Sequence, residues 1–153
     1  MPRILKIFST ALILFEIAFA IAISISIFTA TSSLSGSLTP EGGKESIKFE
    51  TNTDLATGTT TINAKAIGRN PGVLDIVMTM SLKILAPDNA IITQGSDSKL
   101  IPAGSNAEFS IPMHISKDDA IKYGLGLTKP TYIFTFECRT FFNLTGMTME
   151  VRV

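Results

Sequence analysis

The stretch from Gly72 to Leu85 constrains the fold more than any other part of the chain. Apolar residues occupy every second position in it: Leu74, Ile76, Met78, Met80, Leu82 and Ile84. This period of two is typical of a β-strand with one buried face and one wetter face. Because this run is longer than an average strand of about five or six residues, we expect it to lie in the middle of a sheet, with partner strands on both sides.

Further alternating segments predict the partner strands. Their apolar positions are Ile47 and Phe49; Ile62, Ala64 and Ala66; Phe109, Ile111, Met113 and Ile115; Tyr132, Phe134, Phe136 and Cys138; and Met147, Met149, Val151 and Val153. Pro112 lies between two of these positions and indicates an edge strand or a bulge, because proline cannot donate to a sheet ladder. Asn70-Pro71-Gly72 predicts a type II turn in which Gly72 takes a positive φ. Ser116 predicts the N-cap of a short helix that ends at Gly124.

These elements amount to seven or eight strands and one short helix, joined mostly by short connections. Short connections favour antiparallel pairing, and two packed sheets are the usual way for such strands to bury their apolar faces. The predicted fold class is therefore all-β: an immunoglobulin/fibronectin-III-like antiparallel β-sandwich with one short helix, preceded by an N-terminal transmembrane helix.

The run from Ile7 to Ala30 contains a single charged residue, Glu16. As a helix it would extend about 36 Å, enough to cross the roughly 30 Å hydrocarbon core of a bilayer. Arg3 and Lys6 precede it, so the positive-inside rule places the N-terminus in the cytoplasm and the remainder outside. The alternative is a signal peptide cleaved near Ala30, after which the domain would be secreted. We favour the retained anchor because the apolar run is long for a signal peptide.

The remaining domain boundaries follow from composition. Residues 31–43 are rich in Ser, Thr, Gly and Pro and predict a flexible tether. The predicted organisation is a cytoplasmic N-terminus at 1–6, a transmembrane helix at 7–30, the tether at 31–43 and an extracytoplasmic sandwich at 44–153.

Glu16 lies near the middle of the predicted membrane helix. An ionised carboxylate at that depth costs about 3 kcal/mol on insertion scales. One interpretation is a contact with another membrane helix or subunit; the other is a protonated side chain that the apolar segment tolerates. A resemblance to type IV pilins rests on this glutamate alone, since the basic-then-small processing site of that family is absent before Leu12.

Composition argues against several classes of function. Basic and acidic residues balance at 13 each, so no net field favours nucleic acid. The single cysteine, Cys138, rules out an intrachain disulfide, and one histidine, His114, leaves no Cys/His zinc set. We interpret Cys138 as a small buried hydrophobe and His114 as solvent-facing. Asp118 and Asp119 complement the dipole of the short helix. We expect no enzyme activity, no catalytic residues, no cofactor and no metal.

Asn143-Leu144-Thr145 is a glycosylation sequon in the predicted turn between the last two strands. With the domain outside the cytoplasm, Asn143 becomes a possible glycan acceptor.

Several of these motifs occur in the order and spacing of one family. Asn70-Pro71-Gly72, Ile101-Pro102-Ala103-Gly104 and Phe109-x-Ile111-Pro112-Met113 are followed by the short helix. In this respect the chain from Lys48 to Val153 resembles the late-embryogenesis-abundant type 2 proteins, also called water-stress and hypersensitive-response domains. The resemblance implies a seven-stranded sandwich plus helix, which some plant relatives carry behind one transmembrane helix, and it supplies no catalytic residues. Gly72 departs from the second asparagine often found in that family's turn.

The sequence therefore predicts a non-enzymatic, single-pass membrane protein that displays a β-sandwich outside the cytoplasm, for envelope stabilisation, stress protection or protein docking. The alternative is a subunit, or a stator-like component, of a surface filament assembled through the N-terminal helix. The expected partners are the bilayer, through Ile7–Ala30, and either a second copy or another membrane or surface protein.

Overall fold

A computed structural model describes residues 2–38, 47–125, 128–140, 143 and 145–153, with side chains described for 11–37 and for all of these residues from 47 onward. The described residues include two helices, α1 (Pro2–Leu38) and α2 (Lys117–Lys122). The strands are β1 (Ile47–Thr53), β2 (Thr60–Arg69), β3 (Ile76–Leu85), β4 (Ile91–Ile101), β5 (Asn106–Ile115), β6 (Thr131–Thr140) and β7 (Thr145–Arg152).

The strands form two sheets, one in the order β1-β2-β5 and the other in the order β4-β3-β6-β7. Every pair is antiparallel. The predicted two-sheet, mainly antiparallel architecture behind an N-terminal apolar helix is thus confirmed. So is the central position of β3, which pairs with β4 on one side and β6 on the other.

The core lies between the sheets and follows the predicted alternation. From β3 it receives Ile76, Met78, Met80, Leu82 and Ile84, and from β5 it receives Phe109, Ile111, Met113 and Ile115. Phe134, Phe136 and Cys138 of β6 are buried with them. Leu74 precedes the start of β3 and is only partly buried, so the strand begins later than the sequence pattern suggests.

Pro112 is tolerated within a strand because it lies at the edge of the smaller sheet. This proline lies in β5, which pairs with β2 alone, so its missing N–H leaves no ladder bond unmade. Elsewhere on β5, Ser110 N donates to Asp97 Oδ2 of β4 at 3.0 Å, and Lys99 Nζ of β4 contacts the carbonyl of Glu108. Charged side chains on an edge discourage pairing with other chains.

The short helix α2 begins as predicted. The Ser116 side chain accepts a hydrogen bond from Asp119 N, and Asp118 and Asp119 lie in the first turn. Gly124 follows the helix with φ of 59°, a left-handed conformation that glycine adopts without steric cost.

Two local predictions are wrong, and both errors concern α1. The helix runs through Leu38, so residues 31–38 of the predicted tether are helical; residues 39–43 lie outside the described part of the chain. Serine and threonine are acceptable in a helix when their hydroxyls bond to a carbonyl three or four residues back, as Ser37 Oγ does to Ser33 O at 2.8 Å. The type II turn is also wrong, because Gly72 has no positive φ. Gly72 is instead required for the packing of α1.

The junction of helix and sandwich as candidate functional site

Helix α1 divides into two halves with different surroundings. From Leu12 to Phe28 its large apolar side chains are exposed, except that of Ile23, which is partly buried. From Ser26 to Ser37 one face of the helix is buried, and its C-terminal part packs on the sandwich. The buried residues of the helix are Ser26, Thr29, Ala30, Ser33, Leu34 and Ser37. Their spacing of three or four residues places them on one face of a helix. We call this face the docking stripe.

Asn70, the residue directly after β2, contacts the docking stripe. Its amide nitrogen donates to Leu74 O at 2.8 Å and to Ile101 O at 2.9 Å. Its Oδ1 accepts from Gly72 N and from Ser33 Oγ, both at 3.1 Å. Because Asn70 is only 1% exposed, these bonds replace the water that a buried amide loses. One side chain therefore joins α1 to the β2–β3 and β4–β5 connections.

Ser37 makes the second polar connection. Its Oγ accepts from Arg69 N at 2.9 Å, while its own proton goes to Ser33 O. The same oxygen lies 3.8 Å from Met78 Sδ in the core. The end of α1 thus completes the hydrogen bonding of the last residue of β2.

Gly72 brings the backbone of the β2–β3 connection against Thr29. A Cβ on this glycine would lie 2.4 Å from Thr29 Cγ2 and 2.9 Å from Thr29 Oγ1. No real carbon tolerates such a distance. A close backbone approach, and not a positive φ, therefore requires glycine here. The Thr29 hydroxyl is buried without a hydrogen-bond partner among the described residues.

The connections beside this contact form one end of the sandwich, which we call the near end: residues 70–75, residues 102–105 and Asn143. Asp75 ties them together, since Ala103 N donates to its Oδ1 at 3.0 Å and Thr140 Oγ1 donates to its carbonyl at 3.3 Å. A surface hollow of about 530 Å³ opens here. Its lining consists of Val73, Leu74, Asp75, Val77, Leu100, Arg139, Thr140 and Asn143.

Glu16 lies in the exposed half of α1, away from the sandwich. No hydrogen bond or ion pair joins it to another described residue. The neighbouring Phe15 and Phe19 stack on each other, with ring centroids 6.2 Å apart. The structure therefore places the carboxylate on the surface of the helix, without a contact to any side chain of the described residues that would neutralise it.

Asn143 lies in the turn between β6 and β7, as predicted, with φ of 64° and an exposed side chain. Thr145, the third residue of the sequon, is the first residue of β7. Leu144 lies outside the described residues. The possible glycan acceptor and the C-terminal half of α1 are thus on the same end of the sandwich.

The remaining candidates for chemistry are spread over the sandwich. His114 is exposed on β5, with Nδ1 3.2 Å from Thr61 Oγ1. Cys138 is fully buried, and burial raises the pKa of its thiol to about 11. Asp118 and Asp119 belong to α2. Within the described residues, no three His, Cys, Asp or Glu side chains are grouped to hold a metal ion.

The docking stripe is the feature that sequence reasoning missed. A signal was present, because Ser26, Thr29, Ser33 and Ser37 recur at helical spacing across the predicted boundary between anchor and tether. The high proportion of serine, threonine and glycine was interpreted as flexibility, whereas their small size allows the helix to approach the sandwich closely.

By length and composition, residues Ala11–Ser37 qualify as a candidate membrane span, and a signal sequence near the N-terminus would satisfy the same test. A scan against family models finds no match for this chain, and a search of curated proteins finds none.

Solved structures show similarity of fold alone. A protein from Archaeoglobus fulgidus is 13% identical with a TM-score of 0.48, over 71% of this chain and 91% of that one. The β-glucuronidase of Bacteroides uniformis is 13% identical with a TM-score of 0.51, over 76% of this chain. This chain covers only 14% of the glucuronidase, so the similarity concerns a sheet architecture within a much larger enzyme.

Proposed function

We propose that this protein is a single-pass membrane protein that holds an immunoglobulin/fibronectin-III-like sandwich outside the cytoplasm in a fixed position on its anchor. Its role is non-enzymatic: stabilisation of the envelope, protection under stress, or docking of another surface protein. The observation that carries the proposal is the division of α1 into an exposed apolar half and a half built into the sandwich.

The docking stripe supports retention of the helix. A signal-peptide cut near Ala30 would fall inside α1, at a residue that is 0% exposed. The cut would also remove Thr29, which contacts Gly72. The exposed side chains from Leu12 to Phe28 need an apolar environment, since soluble proteins rarely expose so large a contiguous apolar surface.

The strand order supports the finer fold assignment. A three-stranded sheet of the first, second and fifth strands faces a four-stranded sheet in which the fourth strand pairs with the third. In the constant-type immunoglobulin arrangement the fourth strand instead lies beside the fifth. The strand order supports an immunoglobulin-like topology in which the fourth strand has moved to the opposite sheet, and it is compatible with the resemblance to late-embryogenesis-abundant type 2 domains.

Protease accessibility in cells tests the proposal. Protease added to intact cells should remove the sandwich and leave a short fragment that resists alkaline carbonate extraction. A sandwich that is digested only after the cells are broken would contradict the outside orientation. A sandwich released intact by carbonate would contradict the anchor.

The alternative is a filament subunit or stator-like component, and the exposed Glu16 favours it. A carboxylate within an apolar helix surface is stabilised when a neighbouring helix offers a polar partner. We expect crosslinking in native membranes to give a product with the wild-type chain that is lost with Glu16→Leu. Leu14→Ala, a change elsewhere on the exposed helix surface, is the matched control. Identical patterns for wild type and Glu16→Leu would remove the case for a helix partner.

A further inference from the structure

The docking stripe determines which end of the sandwich faces the membrane. Phe28 is the last large apolar side chain in the exposed half of α1, and Thr29 directly after it contacts Gly72. If the exposed half lies in lipid, the β2–β3 connection is therefore at the level where the helix leaves the bilayer. From Thr29 to Ser37 the helix continues along the sandwich towards Arg69 and Met78.

The two ends of the sandwich differ in charge. At the near end, connections 70–75 and 102–105 contain one charged residue, Asp75. The opposite end, which we call the far end, comprises connections 54–59, 86–90 and 116–130. Seven charged residues occur there: Asp54, Asp88, Lys117, Asp118, Asp119, Lys122 and Lys129. A surface poor in charge is the one that loses least hydration on approaching lipid.

Apolar side chains project from the near end. Val73 is 68% exposed and Leu100 is 63% exposed, and both line the 530 Å³ hollow. The charged groups of that hollow are already engaged. Asp75 accepts from Ala103 N, and Arg139 Nε donates to Glu137 Oε1 at 2.6 Å. Contact with lipid would therefore cover apolar surface without leaving a new charge unpaired.

We propose that the near end of the sandwich is seated on the phospholipid surface, with Val73 and Leu100 reaching the boundary between headgroups and acyl chains. The partner is the bilayer itself, in continuity with the exposed half of α1. Interfacial apolar side chains reach this boundary at a depth of about 5–10 Å in known monotopic proteins. This inference rests on the membrane anchor proposed above, and it adds that the sandwich lies on the membrane instead of standing clear of it.

The chain offers a matched control at the far end. Leu55 is 94% exposed in the β1–β2 connection. The ten residues of β2 separate that connection from the near end. At about 3.3 Å per residue this is a distance of roughly 30 Å. Val73→Cys and Leu55→Cys therefore place one reporter at each end. Wild-type Cys138 is fully buried, and its labelling gives the background.

In the experiment, each full-length variant carries an environment-sensitive fluorophore and is reconstituted in phosphatidylcholine vesicles with or without nitroxide-labelled lipid. Flotation of the protein together with the vesicles first tests whether the chain is anchored in the bilayer. We expect both variants to float, with several-fold stronger quenching at position 73 than at position 55. Leu100→Cys should behave like Val73→Cys.

Four results would overturn the inference. Flotation with weak quenching at both positions would leave the anchor intact and show a sandwich that stands clear of the lipid. Flotation with equal, strong quenching would show a sandwich lying on its side. Failure to float would contradict the membrane anchor. It would also contradict the contact between the near end and lipid, because that inference rests on the anchor. If a protein partner covered the near end in cells, position 73 would be shielded there but unquenched by lipid in vesicles, which also contradicts the proposal.

Discussion

The buried side chain of Asn70 makes four hydrogen bonds, one with Ser33 of the helix and three with Leu74 O, Ile101 O and Gly72 N of the sandwich. Each partner left unsatisfied in a buried site costs about 1–3 kcal/mol. The other members of the site contribute through size: Ser33 and Thr29 are small enough for α1 to lie against the β2–β3 connection. At the residue scale, the junction therefore depends on one amide and a few small side chains.

We expect Asn70→Ala to lower the free energy of unfolding by on the order of 3 kcal/mol, because Leu74 O, Ile101 O and Gly72 N lose their partner together. Asn106→Ala is the control, since Asn106 is exposed in β5 and exposed substitutions change stability by about 0.5 kcal/mol at most. Denaturant unfolding of the full chain in detergent measures both. Equal losses would show that Asn70 is not structurally important.

Cys138 predicts a specific pH dependence. An unfolded thiol ionises near pH 8.5, whereas burial raises the pKa in the folded state to about 11. Between these values the unfolded state binds fewer protons, so stability falls as pH rises. Below about pH 8.5 the contribution of the buried Cys138 thiol to the free energy of unfolding is fully present. Unfolding midpoints measured from pH 8 to pH 11 should fall more steeply for wild type than for Cys138→Ala; parallel slopes would refute the assignment.

At the scale of elements, the two halves of α1 differ in their surroundings. The candidate membrane span, Ala11–Ser37, includes residues of both halves, and the docked half belongs to the core through Ala30 and Leu34. Burial of a leucine side chain contributes about 1.5–3 kcal/mol. The sandwich is therefore incomplete without residues 29–37.

Two truncations test this division of α1. A chain that retains residues 25–153 keeps the docking stripe, and we expect it to unfold near the midpoint of the full chain. A chain that retains residues 39–153 loses the contacts at Asn70 and Met78 and should melt clearly lower. Thermal unfolding followed by circular dichroism of the sheet signal compares them. Equal midpoints for the two truncations would show that the docked half adds nothing.

The strands were predictable because each has one buried face, which leaves a period of two in the sequence; β3 and β5 are clear cases. The Ser116 cap was predictable because a cap is a local interaction. Gly72 was misinterpreted because its requirement is tertiary: Thr29, more than forty positions away, occupies the space that a Cβ would need. The helical docking stripe was missed for the same reason, since packing overrides the preferences of Ser33 and Ser37.

At the scale of the whole molecule, the helix enters the sandwich without an intervening flexible segment before Leu38. In the proposed function, an anchor joined in this way controls the orientation of the domain as well as its distance from the membrane. Such an arrangement suits a protein that presents a fixed surface, as proposed above for the near end and lipid.

The central claim is that α1 is a permanent part of the folded protein, and the mature N-terminus tests it most directly. The chain is purified from native membranes, and its N-terminal sequence and intact mass are measured. We expect a mature chain that still contains the helix residues before Ala30. A mature chain that begins between Ala30 and Ser33 would contradict it.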